Sequence, residues 1–167
     1  MVKEWDHAPD VNAPLARPEN AAGRGEYSGD DVESFTLSDR LMYGPVVLAF
    51  FPGVYSGLCT EELCQMRDWY DDLAELDAQV FGVSADTPWS QLAFIEEYGL
   101  TFPLVSGFNN DVIADYDVRV DEGDLAGIAG RALFVIDEER SVTHRWDAEP
   151  GELPDLADVK SALEAAR

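Results

Sequence analysis

Apolar residues form two patterns along the chain: short continuous runs, and longer segments in which an apolar side chain recurs every third or fourth residue. The short runs predict strands, and after an initial arm they occupy residues 32–40 (a strand and a turn), 45–51, 78–85, 101–106, 131–137 and 141–146. The periodic segments predict helices, and they occupy residues 59–76, 88–98, 111–118 and 153–167. This alternation predicts an α/β fold with a mixed central β-sheet flanked by helices on both faces.

The order of these segments narrows the fold further. A β-hairpin through residues 137–140 and a closing helix follow the alternating part, which is most like a thioredoxin-like fold. The length of 167 residues predicts a single domain over residues 1–167. Prolines and glycines are frequent in residues 1–30, and we expect an irregular N-terminal arm there, with short extended pieces.

Charge limits the partners of this domain. The sequence has 34 acidic and 11 basic side chains, a formal net charge of -23. Nucleic acids and anionic membranes need a basic surface, so binding to either is not expected. Only Lys3 and Lys160 are lysines. This composition resembles that of proteins from salt-accumulating organisms; the alternative is an acidic binding surface.

The first residues lack the apolar stretch of a secretory signal, and the longest apolar run is far shorter than the roughly 20 residues of a membrane span, so we expect a cytoplasmic protein. Two cysteines in that compartment are more often buried, metal-bound or redox-active than paired in a disulfide scaffold. Zinc needs four ligands, and the spacing of Cys59, Cys64, His7 and His144 fits no known zinc pattern. No metal site is therefore expected.

Cys59 occupies a position that favours chemistry. A strand ends at Phe51, a loop rich in Pro, Gly and Ser follows, and Cys59 comes where a helix begins. The free N–H groups and the dipole of a helix start favour a thiolate over a thiol, which makes a cysteine nucleophilic. Ser56 lies three residues earlier and could present its hydroxyl to the sulfur. The alternative is that Cys59 is a small buried apolar residue.

The loop sequence P-G-V-Y-S-G-L-C-T-E-E-L resembles the peroxidatic-cysteine motif of the peroxiredoxins, P-x-x-x-[TS]-x-x-C, with its fixed positions at Pro52, Ser56 and Cys59. The segments V-F-G-V-S-A-D-T-P and L-T-F-P-L-V-S, and the arginine that opens R-A-L-F-V-I-D, extend the similarity. Among subfamilies, the chain is most similar to the bacterioferritin-comigratory (Q-type) and AhpE-like groups.

The resemblance implies a cysteine peroxidase that acts on hydrogen peroxide and organic hydroperoxides without a metal or organic cofactor. Cys59 would attack the hydroperoxide and become a sulfenic acid. Arg131 would pair with the thiolate and the peroxide oxygens, the alternative being a surface salt bridge. Pro52 would shield the sulfur from solvent, and Ser56 would hydrogen-bond the peroxide.

Cys64 lies five residues after Cys59, the spacing at which many Q-type members place a resolving cysteine. On an intact helix the two Cα atoms would be about 8.7 Å apart, whereas a disulfide needs roughly 4.4–6.8 Å. The helix start must therefore unwind before Cys64 can react; otherwise Cys64 is inert. The family also implies thioredoxin, glutaredoxin or a low-molecular-weight thiol as reductant, and a monomer or a homodimer.

Other side chains are expected to be structural. The acidic pairs Glu61-Glu62, Asp71-Asp72 and Glu96-Glu97 predict solvated helix faces. Aromatic residues predict packing in a core or a dimer surface, namely Trp89, Phe94, Tyr98, Phe102 and Phe108. Two functions of other classes stay open: a thioredoxin-like disulfide reductase or isomerase, testable by insulin reduction, and a catalytically silent acidic binding module.

The charge generates the first testable prediction. Because dense counterions are needed to screen 34 carboxylates, we expect folding and activity to require molar salt. Circular dichroism and peroxide consumption measured across a salt series check this. A folded, fully active protein in dilute buffer would contradict it.

Overall fold

The computed structural model describes residues 2–166, and their centre is a seven-stranded mixed sheet. Its strands, in chain order, are β1 (Asn12–Ala16), β2 (Glu33–Thr36), β3 (Val46–Phe50), β4 (Gln79–Ser84), β5 (Leu104–Ser106), β6 (Ala132–Ile136) and β7 (Val142–Asp147). Across the sheet the order is β2-β1-β5-β4-β3-β6-β7. Strands β3, β4 and β5 are parallel, and the other neighbours are antiparallel. The predicted mixed sheet is confirmed.

Within the described part of the chain, five α-helices accompany the sheet: α1 (Leu37–Arg40), α2 (Gly57–Ala74), α3 (Pro88–Tyr98), α4 (Val112–Asp115) and α5 (Leu156–Ala165). Short 3₁₀ turns lie at Pro18–Asn20, Gly29–Asp31 and Leu41–Tyr43. The helix predicted over 59–76 begins two residues earlier, and the one predicted over 111–118 is a single turn. No helix among residues 2–166 is long and apolar enough to cross a membrane.

The N-terminal arm differs from its expected irregular form. Residues 12–16 form β1, which lies inside the sheet between β2 and β5 rather than outside the domain. Leu15 and Ala16 are fully buried there. The sequence pattern does not predict this strand because it contains Pro14, and proline is rare inside sheets. The arm is thus an integral part of the fold.

The central strand β3 explains why the sheet is covered on both faces. Its side chains alternate between two buried clusters: Val46, Leu48 and Phe50 face one, whereas Val47 and Ala49 face the other. A strand buried on both faces reads as a continuous apolar run, which is what residues 45–51 show. Helices α2, α3 and α5 contribute to the second cluster, and α1 and α4 to the first.

The ends of α3 follow the signals in the sequence. The backbone N–H of Ser90 donates to the Thr87 hydroxyl at 3.4 Å, and Pro88 occupies the first turn. Gly99 ends the helix with φ +60°, the left-handed conformation that glycine adopts at little cost. These caps fix the first and last residues of α3. The position of α3 beside β4 matters for the candidate active site described below.

The five aromatic residues expected to pack divide into two groups. Phe94 and Phe102 are fully buried, and Tyr98 is partly buried. Trp89 and Phe108 are 46% and 57% exposed. Trp89 nevertheless donates its indole N–H to the Ser28 carbonyl at 3.1 Å. Packing in the core is therefore confirmed for Phe94 and Phe102, and Tyr98 packs against the same cluster. The alternative of a dimer surface stays a prediction for Trp89 and Phe108.

Gly82 in β4 tests how tightly the sheet packs beneath α2. A Cβ at this position would lie 2.6 Å from Leu104 Cδ2 and 3.1 Å from Phe51 Cε1, and both residues are fully buried. We expect Gly82→Ala to lower the free energy of unfolding by about 1–3 kcal/mol, measured by urea denaturation. Gly29→Ala, with open space around its Cβ, is the control. Equal stability of both variants would contradict this packing.

Candidate active site

The connection from β3 to α2 places Cys59 in the first turn of α2. Ser56 is the N-cap residue, and its hydroxyl accepts the backbone N–H of Cys59 at 3.4 Å. The Thr60 N–H donates to the Ser56 carbonyl at 2.8 Å. Cys59 itself is fully buried. The predicted placement at a helix start is therefore confirmed, and the helix dipole points its positive end toward the sulfur.

Sheet register brings Arg131 to the same place, although 72 residues separate it from Cys59. Strands β3 and β6 are antiparallel neighbours in which Phe50 lies opposite Ala132. Arg131 directly precedes β6, so it lies beside the end of β3, where the loop toward Cys59 begins. The pairing of two central strands thus delivers the guanidinium to the cysteine.

Three side chains meet at this point. Arg131 Nη2 donates to Cys59 Sγ at 3.4 Å, and Nη1 donates to Glu62 Oε1 in an ion pair. The Arg131 side chain is 9% exposed and that of Glu62 is 1% exposed. A guanidinium in contact with the sulfur stabilises a thiolate and any negative charge that develops next to it.

Burial and charge act against each other at this cluster. Burial raises the pKa of Glu62 to about 7, and the nearby Arg131 only partly offsets that rise. Burial disfavours the charged form of Arg131, but the charges of Glu62 and Cys59 outweigh it and raise the pKa of Arg131 above its ordinary value. Among residues 2–166 no group hydrogen-bonds to Glu62 Oε2. The guanidinium therefore stays charged beside a carboxyl group that titrates near neutral pH.

Glu62 corrects the prediction that the Glu61-Glu62 pair forms a solvated helix face. Glu61 is exposed, but Glu62 is fully buried against Arg131. The same contact overturns the alternative of a surface salt bridge for Arg131. One signal was present in the sequence: Glu62 lies three residues after Cys59, so both side chains share one face of α2. Its ion partner is set by sheet register, which the sequence pattern does not give.

A polar network supports the loop between β3 and α2. Asp86 Oδ2 accepts the Val54 N–H at 2.9 Å and the Ser84 hydroxyl at 2.6 Å. The Gln91 amide donates to Ser84 Oγ at 3.0 Å, and the Ser106 hydroxyl donates to the Asp86 carbonyl at 2.7 Å. Ser84, Gln91 and Ser106 are fully buried. These residues, which sequence reasoning missed, fix the loop to the ends of β4 and β5.

The other expected site residues lie on or next to this loop. Pro52 follows the end of β3 and is partly exposed. Cys64 is a free, partly exposed cysteine on the second turn of α2, and the helix is continuous from Gly57 through Cys64. The two cysteines are therefore held apart in this state. The functional roles expected for Pro52, Ser56 and Cys64 stay predictions.

Together, the fold and the site define a thioredoxin-like protein in which an arginine donates a hydrogen bond to the sulfur of a cysteine in the first turn of a helix. Comparison with known proteins agrees. The sequence profile of the AhpC/TSA family matches residues 5–145. The crystal structure of peroxidoxin BcpB from Mycobacterium tuberculosis superimposes with a TM-score of 0.78 and 29% sequence identity, covering 100% of this chain and 99% of BcpB.

Several curated relatives carry the name "putative peroxiredoxin", among them MT1643 and YkuU. MT1643 of Mycobacterium tuberculosis is 34% identical over 131 residues, which cover 69% of this chain and 81% of MT1643. YkuU of Bacillus subtilis is 37% identical over 106 residues, 59% of this chain and 57% of YkuU. The match thus spans little more than half the length of YkuU. The chain belongs to the AhpC/TSA family, and its expected resemblance to the peroxiredoxins is confirmed.

Glu62 generates a prediction about pH. A carboxyl group whose pKa is higher in the folded than in the unfolded chain stabilises the fold most at low pH, and this contribution is lost as pH rises through the folded value. The ordinary pKa of a glutamate is 4.5, and that of Glu62 in the folded chain is about 7. As pH rises through this range, we expect the free energy of unfolding of the wild type to fall relative to that of Glu62→Gln. The slope should reach about 1 kcal/mol per pH unit.

Urea unfolding of both proteins at fixed, high ionic strength measures this difference. The comparison with Gln cancels the titration of the other carboxylates, because both proteins share them. A difference that stays constant across the window would show that Glu62 titrates at its ordinary value.

Proposed function

We propose that this chain is a cysteine peroxidase that reduces hydrogen peroxide and organic hydroperoxides. The observation that carries the proposal is the 3.4 Å contact between Arg131 Nη2 and Cys59 Sγ. Cys59 is fully buried at this contact. A helix start alone gives a reactive cysteine; the guanidinium adds a fixed positive charge where a peroxide O–O bond would be cleaved.

The first step follows from this geometry. The Cys59 thiolate attacks the terminal oxygen of the hydroperoxide, an S–O bond forms and the O–O bond breaks. The leaving oxygen departs as hydroxide or alkoxide and takes up a proton to become water or alcohol, while Cys59 becomes a sulfenic acid. Arg131 stabilises the negative charge as it moves from sulfur to the leaving oxygen, and Glu62 holds the guanidinium in place.

Pro52 and Ser56 serve this step from the loop. Pro52 limits the access of water to the sulfur, and the rigid ring keeps the chain in a fixed direction after β3. The Ser56 hydroxyl accepts the Cys59 N–H and retains a donor, which it offers to a peroxide oxygen. The Ser56 hydroxyl thus acts as an acceptor in the helix cap and as a donor to the substrate.

Cys64 completes the cycle in this proposal. Its thiol condenses with the Cys59 sulfenic acid: an S–S bond forms, the S–O bond breaks and water leaves. Because α2 is continuous between the two residues, its first turn must unwind. Thioredoxin, glutaredoxin or a low-molecular-weight thiol then reduces the disulfide, which fits a cytoplasmic location where such reductants are abundant.

Single-turnover kinetics test the proposal. Reduced wild-type protein should consume one equivalent of hydrogen peroxide rapidly, and Cys59→Ser should abolish this consumption because it removes the nucleophile. Stopped-flow mixing with quantification of residual peroxide provides the measurement. Equal rates in the wild type and in Cys59→Ser would refute the proposal.

Cys64→Ser is the matched control, since it removes the other cysteine but keeps the Arg131 contact. It should consume the first equivalent at the wild-type rate and retain a sulfenic acid, detectable by mass spectrometry. Wild-type protein should instead show a disulfide between Cys59 and Cys64. Normal turnover of Cys64→Ser with thioredoxin would refute the resolving role alone.

A further inference from the structure

The backbone of the loop between β3 and α2, residues 52–55, has one hydrogen bond to another element. Just before the loop, the Phe51 N–H donates to the Val83 carbonyl of β4 at 3.0 Å. Within the loop, the Val54 N–H donates to Asp86 Oδ2 at 2.9 Å. Among residues 2–166, no other backbone group of residues 52–55 is hydrogen-bonded to a different element. The direction in which the chain enters α2 therefore depends on the Val54 bond.

The other contacts of the loop are apolar. The Val54 side chain packs against the second buried cluster, and the Tyr55 ring meets Phe94 edge-on with centroids 5.1 Å apart. Apolar burial is not directional, so these contacts keep the loop close to the domain without setting the course of its backbone. A hydrogen bond is directional, and one that a carboxylate accepts is stronger than a neutral one. Asp86 thus supplies what the apolar contacts lack.

Asp86 is itself held by three elements. Its carboxylate accepts the hydroxyl of Ser84 in β4 at 2.6 Å, and its carbonyl accepts the hydroxyl of Ser106 in β5 at 2.7 Å. The amide of Gln91 in α3 donates to Ser84 Oγ at 3.0 Å. Ser84, Gln91 and Ser106 are fully buried, and a buried polar group that leaves its partner loses free energy. The oxygen that binds Val54 is therefore fixed relative to β4, β5 and α3.

We propose that Asp86 is a positioning residue for Cys59. Through the Val54 bond it keeps the sulfur in contact with Arg131 and restrains the first turn of α2 from unwinding. These effects act on successive steps of the cycle, so the inference rests on the proposed function. Oxidation of Cys59 needs the contact with Arg131, whereas attack by Cys64 needs the turn to unwind. Loss of the bond should slow the first step and speed the second.

The geometry allows variants that separate position from charge, because both donors reach the same oxygen, Asp86 Oδ2. Asp86→Asn removes the charge and keeps a carbonyl oxygen that can accept both bonds. Asp86→Glu keeps the charge but displaces the oxygens by one methylene group, and Asp86→Ala removes the acceptor. Asp137→Ala is the matched control. Asp137 Oδ1 also accepts two N–H groups, those of Glu139 and Ser141, but Asp137 follows β6 at the end opposite to Arg131.

The first readout is the kinetics of the two steps. Stopped-flow mixing gives the rate constant for Cys59 oxidation by hydrogen peroxide. We expect it to fall about tenfold in Asp86→Ala and Asp86→Glu, and to stay within about twofold of the wild type in Asp86→Asn and Asp137→Ala. Rapid quenching with alkylation and mass spectrometry gives the rate of disulfide formation from the sulfenic acid. That rate should rise about three- to fivefold in Asp86→Ala and Asp86→Glu.

Amide hydrogen exchange of the reduced protein localises the effect and needs no peroxide. Exchange of Val54 and of residues 57–62 should rise about three- to fivefold in Asp86→Ala and Asp86→Glu, and should match the wild type in Asp137→Ala. Exchange of β6 should stay unchanged in all variants. A general loss of stability would instead raise exchange in β6 as well. If Asp86→Ala does not fold, Asp86→Glu and Asp86→Asn provide the comparison.

Three results would overturn the inference: an oxidation rate or an exchange rate of Asp86→Ala equal to that of the wild type, the same changes in Asp137→Ala, or equal slowing in Asp86→Asn and Asp86→Ala. Failure of the proposed function looks different. The wild type would then consume no peroxide, while exchange of residues 57–62 would still rise in Asp86→Ala. That result would refute the peroxidase and support the restraint of α2 by Asp86.

Discussion

The structure of the site depends on one buried ion pair, between Arg131 and Glu62. A guanidinium that is 9% exposed needs protein acceptors in place of water, and removing one member of such a buried pair typically costs about 3–5 kcal/mol. Glu62 binds Nη1, which leaves Nη2 directed at Cys59. The carboxylate therefore does two things: it makes a buried cation tolerable, and it fixes which nitrogen reaches the sulfur.

The rest of the fold can be understood as the support for this pair. Antiparallel pairing of β3 and β6 places Arg131 at the end of β3, and α2 carries Glu62 and Cys59 on one face. The network around Asp86 fixes the loop between β3 and α2 through a hydrogen bond from the Val54 N–H. The ring of Tyr55, in the same loop, packs against Phe94 of α3. Each support comes from a different element, so the charged cluster is defined by tertiary structure as a whole.

Much of this was predictable from the sequence, for identifiable reasons. The run of residues 45–51 marks a strand buried on both faces, and Thr87, Pro88 and Gly99 mark the ends of α3. The motif through Cys59 predicts the cysteine loop. The sequence pattern did not predict β1, because Pro14 interrupts it, nor the burial of Glu62, because a glutamate beside Glu61 has the pattern of a solvated face. Both depend on contacts between residues far apart in the chain.

The most direct test of this account is whether Glu62 acts through Arg131. The measurement is the second-order rate constant for Cys59 oxidation by hydrogen peroxide in the wild type, Glu62→Gln, Arg131→Met and the double variant. We expect Glu62→Gln to slow the reaction about tenfold when Arg131 is present, a loss of about 1.4 kcal/mol of transition-state stabilisation. In the Arg131→Met background it should have no further effect. Equal slowing in both backgrounds would contradict the account.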